Sequence, residues 1–211
     1  MANGNIDLAS LFKQVSKAVA SNQDSLNEAD TYNHDHGDHM VEIFDVITQA
    51  MKEKKSAEPA DQLEYAAQLL RKKSNSGSAT LYADGLNNAA KQVTGKKLDA
   101  GSVVSILQSV LGATTETKAS SAASGGDMLG SLLGQLTGSS SDSDEGLDMG
   151  DLLNAGMSFM AAKQSGKSNL EALTGAIVSS SQVASGSSAR SQSSEIVAST
   201  LLSALTSMTS K

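Results

Sequence analysis

Apolar residues recur at spacings of three and four along nearly the whole chain, and this spacing limits what the chain can fold into. It is typical of helices that bury one face, whereas no stretch alternates apolar and polar residues as a half-buried strand does. The pattern predicts helices over residues 6–21, 40–54, 59–73, 78–94, 100–111, 127–137, 147–163, 169–184 and 194–209. The sequence therefore predicts an all-α domain of about eight or nine helices.

Local signals for helix ends agree with this pattern. Asn5 or Asp7 precedes the first predicted helix and Asp99 precedes another, and both residue types favour the N-cap position. The single proline, Pro59, stands where a helix begins, a position that tolerates its missing N–H. Gly95 follows a predicted helix, as C-terminal glycines often do.

Two polar, low-complexity stretches interrupt the helical pattern. They are "ATTETKASSAASGG" at 113–126 and "GSSSDSDEG" at 138–146, and we expect loops or mobile segments there. A chain of 211 residues can bury one sizeable core. We therefore expect one domain over 1–211 with a low-complexity segment at about 113–146.

Composition and charge exclude several classes of protein. Without cysteine there is no disulfide, thiolate zinc site or cysteine nucleophile. A net charge of −7 and an aromatic content of 3% disfavour a nucleic-acid binder, which needs a basic face and stacking platforms. The opening "MANGNIDLASLF" does not resemble a signal peptide, and no apolar run approaches the roughly 20 residues that span a bilayer. We expect a soluble, cytoplasmic protein.

All three histidines of the chain fall within "NHDHGDHM" at 33–40, between two predicted helices. A loop that leads into a helix presents backbone N–H groups and the positive end of the helix dipole, which suits a phosphate. Carboxylates lie in the same region, and carboxylates beside phosphates are typical of magnesium–nucleotide sites. These carboxylates are Glu28, Asp30, Asp35 and Asp38.

Two other interpretations of this loop stay open. Asn33, Asp35 and Asp38 are also ordinary helix-capping residues in a polar turn. Alternatively, His34, His36 and His39 could join the carboxylates in a divalent transition-metal site.

Two further stretches precede helices. "KSNSGSATLYADGL" at 73–86 offers the hydroxyl and N–H donors of Ser74, Asn75, Ser76 and Gly77 to an anion, although plain capping by Ser74 or Ser76 also explains it. "SNLE" at 168–171 forms a capping box, which is a sufficient structural reason for those residues.

Taken in order, the three stretches resemble motifs of the nucleotide-binding domain of dihydroxyacetone kinases, the DhaL family. The family's first loop reads "LD…GDGDHGxNM", and this chain has "LNEADTYNHDHGDHM" at 26–40. The second family loop, "GGxSG" or "GNSG", is similar to "NSG" at 75–77. The third, "GDKTMLDAL", is similar to "GKSNLEAL" at 166–173 with one residue missing. The resemblance covers roughly residues 5–210.

The resemblance implies a fold and a metal site. The family fold is an antiparallel barrel of eight helices that holds ADP or ATP with two Mg²⁺ ions at one end. Three aspartates of the first loop hold the ions. Their positions match Glu28, Asn33 and Asp35, or Asp30 in place of Glu28 if a short gap is allowed. If the metal site is rebuilt to replace the missing carboxylate, Asp38 and a histidine would be the substitute ligands.

The resemblance also implies a nucleotide-binding set and a reaction. The residues that follow the metal loop would face the phosphates, and these are His36, Gly37, His39 and Met40. Asn75, Ser76 and Gly77 would contact the nucleotide through the second loop, and Arg190 would do so from near the end of the domain. The implied function is a nucleotide-binding subunit for phosphoryl transfer to a small hydroxyketone such as dihydroxyacetone. The acceptor would lie on a separate substrate-binding kinase subunit, and a homodimer is also compatible with such a domain.

This chain departs from the family at several positions. Asn33 replaces the middle aspartate, the second loop lacks the double glycine, and the turn "DPGA" that follows the family arginine is missing after Arg190. These departures leave a second interpretation open, in which the chain is a non-catalytic scaffold or regulatory relative that has lost the metal.

Overall fold

A computed structural model of the chain describes residues 6–112, 169–179, 181 and 183–209. These residues form eight helices and no strand, so the predicted all-α class is confirmed. The helices are α1 (Leu8–Ser21), α2 (Gln23–Ala29), α3 (His36–Glu53), α4 (Pro59–Lys73), α5 (Gly77–Val93), α6 (Ala100–Val110), α7 (Asn169–Ser179) and α8 (Ser188–Thr209).

Side-chain caps set several helix starts where the sequence predicts them. The Asp7 carboxylate accepts a hydrogen bond from the N–H of Ala9 (3.1 Å) at the start of α1. Asp99 does the same for the N–H of Ser102 (2.7 Å) in α6. Each cap satisfies a backbone donor that has no partner within its own helix.

Between α1 and α4 the prediction was wrong in two places. The sequence predicted one loop over residues 25–40 that ends at the start of the next helix, but residues 23–29 form the short helix α2, which buries Leu26. Helix α3 begins at His36 rather than at Met40, so five of the eight residues of "NHDHGDHM" are helical. The reason is tertiary, because the first turn of α3 is capped by a side chain of α2.

The last two helices also differ from their predicted bounds. Helix α7 ends at Ser179 rather than at residue 184, and α8 begins at Ser188 rather than at residue 194. Beyond α7, the hydroxyl of Ser181 and the N–H of Val183 both donate to the carbonyl of Leu111, at the end of α6. These bonds to another element take the place of further helical turns.

Six helices contact one another in a closed circuit that runs α1, α3, α4, α5, α6, α8 and back to α1. Helix α2 packs on α3 and α8, and α7 packs on α8. One apolar core fills the interior, and the rings of Phe44 and Tyr82 meet there edge to face with centroids 5.2 Å apart. The largest fully buried side chains are those of Tyr82, Phe12, Phe44, Leu11, Leu26, Met40, Ile43, Ile47, Met51, Leu63, Leu70 and Leu86.

Two glycines permit close approach between helices. A Cβ on Gly37 would lie 2.1 Å from the carbonyl oxygen of Gln23 in α2. A Cβ on Gly85 would lie 2.5 Å from the carbonyl oxygen of Ser109 in α6. Real Cβ atoms do not approach backbone this closely, so glycine is needed at both positions.

The helices predicted over 127–137 and 147–163, the low-complexity segment at 113–146 and the cap at Ser168 lie outside the described residues. None of the eight helices in the part of the chain that the structure describes combines the length and the apolar character needed to cross a bilayer.

Candidate functional site: a cleft between the starts of α3, α5 and α8

A cleft of about 450 Å³ lies where three segments meet: the loop before α3, the start of α5 and the start of α8. Its volume is within the range of small-ligand sites. It is lined by Asp30, Tyr32, Asn33, Asp35, His36, His39, Ser76, Gly77, Ser78, Gly186, Ser187 and Arg190. Segments that are far apart in the sequence therefore form one site.

The loop from Asp30 to Asp35 forms the acidic side of the cleft. Asp30 accepts a hydrogen bond from the N–H of Tyr32 (3.2 Å), and this bond holds the pKa of the Asp30 carboxyl below its ordinary value. His34 adopts a left-handed backbone conformation with φ of 58°, and its Nδ1 lies 3.3 Å from the carbonyl oxygen of Asn27. The loop thus presents an ionised Asp30 and the side chains of Asn33 and Asp35 to the cleft.

Helix α2 caps the first turn of α3. The Asn27 side-chain oxygen accepts hydrogen bonds from the N–H groups of Gly37 (2.6 Å) and Asp38 (3.2 Å). The amides of Asn27 (2.9 Å) and Gln23 (2.6 Å) donate to the Asp38 carboxylate and lower its pKa. These N–H groups are therefore already bonded within the protein, contrary to the expectation that the start of α3 offers them to a phosphate.

His36 is a buried residue beneath the cleft, with 7% of its surface exposed. Its Nε2 lies 3.0 Å from the hydroxyl oxygen of Ser193 in α8, and that hydroxyl donates to the carbonyl of Arg190 (3.0 Å). The Ser193 oxygen can accept only if His36 carries its proton on Nε2. Burial lowers the pKa of His36 and so favours the neutral ring, which makes this bond as the tautomer protonated on Nε2.

His39 and Asp35 form the second histidine contact in the cleft. Nδ1 of His39 lies 3.3 Å from the Asp35 carboxylate, one helical turn away, and each side chain is a little over one-third exposed. Asp35 keeps access to solvent and to a ligand in the cleft.

Arg190 provides the positive charge of the cleft. Its guanidinium lies between two glycines: a Cβ on Gly77 would be 3.4 Å from Nη2, and a Cβ on Gly186 would be 3.9 Å from Nη1. Within the described ranges no carboxylate pairs with Arg190. A planar guanidinium that lacks a protein carboxylate can bind a phosphate through two N–H groups.

The start of α5 adds donors beside Arg190. Ser76 caps this helix, because its hydroxyl accepts from the N–H of Ala79 (3.1 Å) and its carbonyl accepts from the N–H of Thr80 (3.1 Å). No described residue accepts a hydrogen bond from the N–H of Gly77 or Ser78. Helix capping and anion binding are therefore compatible in this stretch, because Ser76 caps the helix and two backbone donors are left for an anion.

Of the thirteen residues expected in the metal and nucleotide sites, eight line the cleft and five do not. Met40 is fully buried in the core, and Gly37 packs against α2. Asp38 bonds to α2, as described above, and Glu28 and Asn75 are exposed away from the lining. Four lining residues were missed by sequence reasoning: Tyr32, Ser78, Gly186 and Ser187.

The side-chain oxygen atoms in the cleft can hold a cation only if a bound ligand supplies further oxygen atoms. The described residues contain no group of three histidine, aspartate or glutamate side chains placed to hold a metal. The three histidines have different partners, namely Asn27, Ser193 and Asp35, so they do not converge on one ion. Two carboxylates and one amide oxygen remain, and Mg²⁺ is often held by one or two carboxylates together with substrate phosphates.

Comparison of the chain with models of protein families, with curated proteins and with solved structures finds no match.

Proposed function

We propose that this chain binds ADP or ATP together with Mg²⁺ in the cleft and serves as the nucleotide-binding subunit of a phosphotransferase. The acceptor is a small hydroxyketone such as dihydroxyacetone, held by a separate substrate-binding subunit. The observation that carries the proposal is the division of one cleft into a side with Arg190 and unbonded backbone donors and a side with Asp30 and Asp35.

Phosphate oxygens would bind on the positive side of the cleft. The N–H groups of Gly77 and Ser78 and the guanidinium of Arg190 are donors, and they lie together at a helix start where the dipole favours an anion. Asp30, Asn33 and Asp35 would hold Mg²⁺, which when bound neutralises phosphate charge. The circuit of six helices supports the barrel arrangement that accompanies this function.

A second candidate function is a regulatory or scaffold protein that has kept the fold without the metal. Asn33 favours it, because a neutral amide replaces a carboxylate among the three metal-binding positions. The small number of carboxylates in the cleft also favours it, because they cannot hold a metal ion unless a bound ligand adds further oxygen atoms.

Thermal unfolding with ADP, Mg²⁺ or both separates these functions. At 100 times its Kd a ligand stabilises the folded chain by about 2.7 kcal/mol. We expect this shift with ADP and Mg²⁺ together, and its loss in Asp35→Ala and Arg190→Gln. The matched controls, Asp61→Ala and Arg71→Gln, change exposed residues outside the cleft and should keep it.

The outcomes are distinct. No shift with any nucleotide would refute nucleotide binding and favour the scaffold. A shift with Zn²⁺ or Ni²⁺ alone would instead favour the transition-metal site.

The variant Asn33→Asp tests the metal loop directly. If Asp30, Asn33 and Asp35 hold the ion, a third carboxylate should strengthen ADP binding at fixed Mg²⁺, because it adds negative charge next to a dication. If the loop is only a polar turn, the added charge repels its neighbours and binding does not improve. Calorimetric titration of ADP into both proteins distinguishes the cases, and equal or weaker binding by Asn33→Asp would remove the assignment.

A further inference from the structure

Tyr32 stands apart from every other large apolar side chain that the structure describes. It is 94% exposed, and it is the one large hydrophobic residue among the described residues that is exposed. Phe12, Phe44 and Tyr82 are fully buried, and Tyr65 donates to Glu53 (2.7 Å) and lies beneath the ammonium of Lys54 (4.9 Å). Tyr32 therefore adds nothing to the core, and its ring is fully available to a ligand.

The position of this ring connects it with the cleft. Tyr32 lines the cleft from the loop that also carries Asp30 and Asp35. Its backbone is held in place, since its N–H donates to the Asp30 carboxylate (3.2 Å). The ring is thus an exposed aromatic surface at the edge of a site with phosphate-binding donors, on the loop that also carries Asp30 and Asp35.

The surroundings of Tyr32 favour a small aromatic ligand over a protein. Aromatic anchors of protein interfaces sit in well-packed surroundings that exclude water. The neighbours of Tyr32 in the loop, Thr31, Asn33 and His34, are polar and exposed. One isolated ring can still stack on the flat face of a base, which needs no surrounding apolar surface.

We infer that Tyr32 is the base-stacking residue of the cleft and makes it select nucleotides over phosphates that carry no ring. The inference rests on the proposed function, because the phosphates of the same ligand would bind at Arg190 and the start of α5. Tyr32 recognises the π face of the base rather than its hydrogen-bonding edge. The chain should therefore bind ADP and GDP with similar affinity and bind both more tightly than pyrophosphate.

The test is a calorimetric titration of ADP, GDP and pyrophosphate, each with Mg²⁺, into the full chain and its Tyr32→Ala and Tyr32→Phe variants. Stacking on one aromatic side chain corresponds to roughly 5- to 150-fold in affinity. We expect Tyr32→Ala to lose this factor for ADP and GDP and to bind pyrophosphate like the parent. Tyr32→Phe keeps the ring and should bind all three ligands like the parent. Tyr65→Ala, a ring removed outside the cleft, should also leave all three affinities unchanged.

Failure of the inference and failure of the proposed function give different results. If the parent binds ADP and Tyr32→Ala binds it equally well, the stacking role is refuted and the nucleotide site stands. An equal loss for ADP and pyrophosphate would also refute stacking, because it would assign Tyr32 to the phosphates or to the loop. If the parent binds none of the three ligands, the proposed function fails and the inference fails with it.

Discussion

Replacing Gly37 with alanine tests how the first turn of α3 is held. The new Cβ would lie 2.1 Å from the carbonyl oxygen of Gln23 and 2.7 Å from the side-chain oxygen of Asn27. A carbonyl oxygen in a helix cannot move alone, so α3 must shift away from α2 by more than an ångström. The shift would break the hydrogen bonds from the N–H groups of Gly37 and Asp38 to Asn27.

The free energy of unfolding should fall as a result. Overpacking of this kind costs about 1–3 kcal/mol, and loss of a side-chain cap costs about 0.5–2 kcal/mol. Alanine gains at most about 1 kcal/mol over glycine within a helix. The balance is a net loss of roughly 0.5–4 kcal/mol for Gly37→Ala.

Urea unfolding followed by circular dichroism measures this loss. The control is Gly175→Ala in α7, where a Cβ would meet no atom of the described residues within 4 Å. In that variant only the higher helix propensity of alanine has an effect, so the free energy of unfolding should rise by about 0.5–1 kcal/mol. If Gly37→Ala unfolds at the same urea concentration as the parent, α2 and α3 do not approach as closely as described. In that case the capping role of Asn27 is also wrong.

Three further changes test other parts of the fold. Burial lowers the pKa of His36, so its contribution to stability is complete above the unfolded pKa of about 6.5 and is lost as pH falls through the lower folded pKa. The variant His36→Gln should therefore show a free energy of unfolding that depends less on pH in this window, and an unchanged dependence would contradict the burial. Asp99→Ala removes the cap on the N–H of Ser102 and should lower urea stability by about 1 kcal/mol, whereas no loss would show that α6 needs no cap. No described residue makes a hydrogen bond of normal geometry with the buried hydroxyl of Tyr82, so Tyr82→Phe should leave the melting temperature equal or higher, and a clear decrease would reveal a bond.

The sequence predicted the helices well where the signals are local. Pro59 and the aspartates before α1 and α6 act within one helical turn, so their helix starts are confirmed. Helix α2 was missed because its seven residues bury a single side chain, Leu26, and show no periodicity. The start of α3 was misplaced because its cap, Asn27, comes from another helix and is recognisable only in three dimensions.

The cleft likewise depends on contacts between distant parts of the chain, which local sequence signals do not reveal. Asp35 and Ser76 were chosen from their positions before predicted helices and Arg190 by resemblance, and the fold brings the three to one place. Tyr32 was missed because nothing in its neighbourhood in the sequence says that it faces a cleft. Ser193, the buried partner of His36, was missed because 157 positions separate the two residues.

That separation bears on how the protein is made. The contact between His36 in α3 and Ser193 in α8 joins residues of very high sequence separation, and the entropy of closing so long a loop must be overcome before the contact contributes. During synthesis, helices α1 to α6 leave the ribosome before Arg190 exists, so a nascent chain can acquire much of its core while it has no cleft. A compound that binds the cleft would therefore recognise only chains whose α8 has docked, and by mass action it would protect the completed fold from unfolding and proteolysis.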